Sequence, residues 1–125
     1  MIEERIQAAK QYVKTLFADR ADGHDVEHTL RVYTNAMRIA QAEGSCDLEI
    51  VGLSALLHDA DDYKFFQTEI HANARMFLEE IGTPKNQIEQ ICRVINAVSF
   101  SKNRDKHPET LEAKIVQDAD RLDAI

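Results

Sequence analysis

Asp25-Val-Glu-His-Thr-Leu-Arg-Val-Tyr-Thr-Asn-Ala-Met-Arg-Ile-Ala-Gln-Ala-Glu43 is the stretch whose periodicity decides the fold class. Val26, Leu30, Tyr33, Met37 and Ala40 recur at three- and four-residue steps, which lines them up along one side of an α-helix. Val32, Ala36 and Ile39 widen that stripe beyond what a solvent-covered helix needs, so this helix is expected near the centre of a bundle. Asp25 stands where a carboxylate can cap the first backbone N–H groups, and the pattern runs out at Glu43 or Gly44.

The same period extends outward in both directions. On the N-terminal side, Ile2, Ile6, Ala9, Val13, Leu16 and Phe17 predict an amphipathic helix, separated from the first by a polar loop over 19–25 that contains Gly23. On the C-terminal side, Asp47 can cap a third helix through Leu48, Ile50, Val51, Leu53, Ala55, Leu56 and Leu57, which ends near His58-Asp59. A fourth helix is expected from about Thr68 to Ile81, with Gly82 at its C-cap. Thr83-Pro84 then reads as the N-cap and first residue of a fifth helix reaching about Val98. Beyond the polar segment over 99–108, Thr110 caps a sixth helix with Leu111, Ile115, Ala119 and Leu122 on one face.

No stretch alternates as a strand would, and no internal repeat is present, so the expected architecture is an all-α helical bundle in one domain over 1–125. The last helix is still periodic at Ile125, which predicts a chain truncated at its C-terminus or lacking final helices.

With 44% hydrophobic and 30% charged residues the composition is globular, and no apolar run is long enough to span a bilayer. Residues 1–14 lack the basic start and apolar centre of a signal peptide, so a soluble cytoplasmic protein with no membrane partner is expected. Cys46 and Cys92 have no metal-ligand or redox spacing and are expected to be reduced and structural. A formal charge of −7 opposes general nucleic-acid binding, which relies on clustered Lys and Arg, but leaves room for a small anion received by a metal. Homo-oligomerisation stays open.

His58-Asp59 alone could be a helix-ending pair, with His58 interacting with the helix dipole and Asp59 in solvent. His28 lies four residues before Val32 and faces an apolar side, where a core histidine bonded to a carbonyl is the plain alternative to a ligand. On the sixth helix, Asp118 falls three residues after Ile115 and four before Leu122, in the apolar face, where an unpaired charge is costly. Asp120 lies beyond one edge of that face and could converge on the same point. Two imidazoles and two carboxylates suit one divalent ion with positions left for water and substrate oxygens.

The runs Gly23-His-Asp-Val-Glu-His28-Thr-Leu-Arg-Val32, Leu56-Leu-His-Asp59 and Gln117-Asp-Ala-Asp120-Arg-Leu-Asp-Ala124 resemble, in order, the H, HD and D motifs of the HD superfamily of metal-dependent phosphohydrolases. With Tyr63-Lys64-Phe65 after the HD pair, the chain looks like the small bacterial HD hydrolases of the nucleotide pyrophosphohydrolase type, over residues from about 20 to the end. The resemblance implies metal ligands at His28, His58, Asp59 and Asp120, with Asp118 the alternative to Asp120. It implies one divalent ion (Mn, Fe, Co, Ni, Mg or Zn) and hydrolysis of phosphate esters or anhydrides of small nucleotides by a metal-activated water. Asp59, Asp62 and His24 are candidates for catalytic roles, and Arg31 and Lys64 for contacts to phosphate oxygens. Asn96-Ala-Val98-Ser-Phe-Ser101 lacks the histidine that many relatives carry there. A non-catalytic HD module that binds a nucleotide or a protein is the alternative function.

Overall fold

The structure, a computed structural model, describes residues 2–16, 24–58, 72–99 and 110–123. Among them are six helices and no strand: α1 Ile2–Leu16, α2 His24–Glu43, α3 Leu48–Leu57, α4 Ala72–Glu80, α5 Lys85–Ser99 and α6 Leu111–Asp123. The fold is all-α, as the periodicity predicts. No helix among the described residues is long and apolar enough to cross a membrane.

The central element is α3 and not α2. Nine consecutive residues of α3, Glu49 to Leu57, are buried, and it packs against α1, α2, α5 and α6. A helix that is apolar all round has no face to offer water, so these four gather about it. α2, with one side exposed, lies against α3 and α6. Glu49, the one charged residue in the α3 run, is compensated: Arg5 Nη1 donates to its Oε2 at 2.9 Å and Gln87 Nε2 to its Oε1 at 2.9 Å. This polar cluster ties α1 and α5 to the entrance of α3. Tyr12 and Phe77 stack at 4.4 Å between centroids, joining α1 to α4.

Helix ends follow the sequence in most places. Asp47 Oδ1 accepts from the N–H groups of Glu49 and Ile50 at 3.0 and 3.2 Å, and Thr110 Oγ1 accepts from that of Ala113 at 3.1 Å. Replacing Asp47 by Ala should lower stability by about 1 kcal/mol, the usual worth of such a cap, read as the shift in a urea midpoint at constant slope. Gly44 (φ 79°) closes α2 through its N–H to the Ala40 carbonyl, 3.0 Å. Gly82 (φ 77°) closes α4 with its N–H on the Glu79 carbonyl, while the Thr83 N–H reaches the Leu78 carbonyl.

Three expectations are corrected. α2 begins at His24, so Asp25 lies inside its first turn and does not precede the helix as a cap. Pro84, not Thr83, precedes the first residue of α5 and accepts from the Ile88 N–H at 3.0 Å. The Thr83 backbone is committed to ending α4, and its buried hydroxyl has no hydrogen-bond partner among the described residues. Leu122, placed by the periodicity on the buried face of α6, is 51% exposed. Among the described residues neither Cys46 nor Cys92 forms a disulfide, and Cys92 is buried. Burial pushes the Cys46 thiol up, Glu112 adds to the effect, and Cys46 Sγ donates to the Ala40 carbonyl. Such a thiol is a poor nucleophile.

Candidate metal centre

Three helices bring chemistry to one point. His28 comes from the second turn of α2, His58 follows the last residue of α3, and Asp120 comes from the last turns of α6. One ligand atom from each lies within 4.8 Å of the others. Asp120 Oδ1 is 3.0 Å from His28 Nε2 and 3.5 Å from His58 Nε2, and the two rings meet edge to face with centroids 5.5 Å apart.

The side chains of α6 explain why Asp120 is the acid at this point. Ala113, Val116, Asp120 and Asp123 follow one another at helical steps of three and four, continuing a buried stripe into two carboxylates. Reading the stripe through Ile115 and Leu122 instead puts Asp118 on the buried face. In the structure Asp118 is half-buried and outside the cluster.

The donor set fits a divalent ion. His58 Nδ1 donates to the Ala55 carbonyl at 2.7 Å, which makes Nε2 the nitrogen that faces Asp120 and the one whose lone pair an ion would use. Two donors each about 2.1 Å from one ion stand about 3.0 Å apart at a right angle and about 3.4 Å apart at a tetrahedral angle. The observed separations of 3.0 and 3.5 Å are of that size. The site is shielded unevenly: the His58 side chain is 2% exposed, that of His28 28% and that of Asp120 33%. Burial pushes the Asp120 carboxyl up, but hydrogen bonds from His28 and His58 outweigh it and hold the group well below the usual carboxylate range. It is a carboxylate at neutral pH, as a ligand must be.

Asp123, to which the sequence reading gave no role, sits directly behind His28. Its Oδ2 is 2.5 Å from His28 Nδ1, and Arg31 grips the same carboxylate through Nε (2.5 Å to Oδ1) and Nη2 (3.1 Å to Oδ2). Arg31 and, against the opposing effect of burial, His28 hold the Asp123 carboxyl below its ordinary value. The signal was available, since three residues after Asp120 on a helix is the same face. Arg31, expected at a phosphate, therefore has its guanidinium on Asp123, and its side chain is 54% exposed. Asp59, Asp62 and Lys64 lie outside the described residues, as does the side chain of His24.

The chain is 33% identical to the Bacillus subtilis protein YpgQ over 126 residues, covering 98% of this chain and 61% of that one. The crystal structure of YpgQ in complex with ADP superposes with a TM-score of 0.80 at 30% identity, over all of this chain and 61% of that one. A Bacillus thuringiensis protein described as an HD-superfamily hydrolase gives a TM-score of 0.78 at 29% identity, over all of this chain and 60% of that one. The chain thus spans about three fifths of the length of these relatives. The family model for the HD domain matches residues 25–125, which take in His28, His58 and Asp120, and the chain belongs to the HD domain family.

Proposed function

We propose that this protein is a metal-dependent phosphohydrolase acting on phosphate esters or anhydrides of small nucleotides. The observation that carries the reading is the convergence of His28, His58 and Asp120 from three helices on one point. A bound divalent ion would polarise a phosphoryl oxygen and lower the pKa of a water molecule. His58, held by the Ala55 carbonyl, and His28 each present one nitrogen to that point, and Asp120 supplies negative charge between them. Asp59, next in sequence to His58, is proposed as the further ligand, with Asp62 and His24 as candidates for proton transfer and Lys64 for a phosphate oxygen.

The nucleotide class is supported by the ADP complex of YpgQ, and the hydrolase class by the description of the B. thuringiensis neighbour. A local cation also answers the difficulty of bringing a phosphate to a chain of net charge −7.

The test is elemental analysis of the purified protein and of His58→Ala, followed by phosphate and pyrophosphate release from a nucleotide panel with added Mn²⁺. A divalent ion retained by the wild type and lost by the variant, together with hydrolysis, is the expected result. Metal without hydrolysis would leave a binding module, and failure of the wild type to take up any divalent ion would overturn the reading.

A further inference from the structure

We infer that Asp123 is a positioning residue for His28, setting which imidazole nitrogen faces the metal site and holding the ring in place. The inference rests on His28 serving as a metal ligand, as proposed above, and adds a group that does not itself reach the site.

The two histidines are backed by different acceptors. His58 has its Nδ1 on a backbone carbonyl, that of Ala55, at 2.7 Å. His28 has its Nδ1 on a carboxylate, that of Asp123, at 2.5 Å. In both, the nitrogen facing the cluster is Nε2. A proton kept on Nδ1 by an acceptor leaves the Nε2 lone pair for the ion, and a carboxylate acceptor also makes that lone pair a better donor. Metal-binding histidines are commonly backed in this way, and the loss of such a partner weakens metal binding by roughly 10- to 100-fold.

Asp123 is built to hold its position. Its side chain is 9% exposed in the last turn of α6, and Arg31, one turn past His28 on α2, takes both of its oxygens. Paired N–H donors to one carboxylate fix its plane as well as its location. His28 and Arg31 are three residues apart on one helix, and Asp120 and Asp123 three apart on the other, so both pairs face each other across the α2–α6 contact. This arrangement gives the exposed Arg31 a purpose that a solvated surface cation would not have.

The test is Mn²⁺ affinity of the intact protein, read from the electron paramagnetic resonance signal of free Mn²⁺, for wild type, Asp123→Ala and Asp123→Asn. Glu27→Gln, which removes a carboxylate near Arg31 but not the one on His28, controls for the change of charge. Asp123→Ala should bind about 10- to 100-fold more weakly, and Asp123→Asn, which keeps an acceptor but no charge, several-fold more weakly. Glu27→Gln should stay within about twofold of wild type. A second readout is the downfield N–H proton of His28 in the Zn²⁺-loaded protein, expected in the wild type and absent from Asp123→Ala. Should Asp123→Ala fail to fold by circular dichroism, Asp123→Asn carries the test alone. Wild-type affinity in the folded Asp123 variants, or a loss no larger than that of Glu27→Gln, would overturn the role of Asp123 and leave the metal site standing. A wild type that takes up neither ion would instead remove the metal site, and this inference with it.

Discussion

Asp120→Ala should weaken Mn²⁺ binding by at least about 100-fold, beyond the range for losing an orienting partner, and bring nucleotide hydrolysis to background. Asp120 Oδ1 is the atom that both imidazoles approach, at 3.0 and 3.5 Å, so its removal takes away the acidic ligand and leaves only the two imidazoles at that point. Two imidazoles alone lack the negative charge that offsets a divalent ion in a partly buried site. The paired variant is Asp118→Ala, one residue beyond Gln117 on the same helix. Asp118 lies outside the cluster, so its loss should change Mn²⁺ affinity by no more than about twofold, a surface-scale effect. Isothermal titration of the metal-free proteins separates the two, and the reverse ranking would hand the ligand role to Asp118.

Leu56→Ala should destabilise the protein by roughly 3 kcal/mol and lower its Tm by about 10 °C. Leu56 has no exposed surface and sits two residues before His58 in the helix that α1, α2, α5 and α6 surround. A leucine there loses its transfer free energy on truncation and leaves a cavity whose walls, helices on several sides, cannot close in freely. Met76→Ala is the contrast: Met76 is 63% exposed, and its truncation should cost no more than about 0.5 kcal/mol. Urea unfolding at constant slope measures both, and a Leu56→Ala loss below about 1 kcal/mol would show that the packing around α3 is looser than described.

Much of this was legible from local chemistry. Asp47 and Thr110 cap the helices they were expected to cap, because a short oxygen side chain before an apolar period has one dominant use. What one helix cannot reveal is its neighbours. α2 looked central from its wide stripe, whereas the nearly unbroken apolar run of α3 decides the matter only once the helices compete for the middle. Thr83 and Pro84 fall one position out of the expected register because the Thr83 N–H ends α4 on the Leu78 carbonyl, leaving the Pro84 carbonyl to open α5. On α6, a stripe through Leu122 and a stripe through Asp120 differ by one helical step, and periodicity gives no reason to extend a buried face into carboxylates. The motif order singled out Asp120, and the geometry places it between the histidines. Asp123 shares a helix face with Asp120, but its use shows only once α2 and α6 are docked and its carboxylate meets His28 and Arg31.

The three converging side chains have one further consequence. They belong to α2, to the end of α3 and to α6, so a cation held by them would be grasped only when those helices are docked. Occupancy and folding then form one linked equilibrium: at a free ion concentration 100 times its Kd the folded state gains about 2.7 kcal/mol, and at lower concentrations correspondingly less. Over that range the durability of the bundle would follow the metal supply of its surroundings, as if the ion were a removable rivet through three beams.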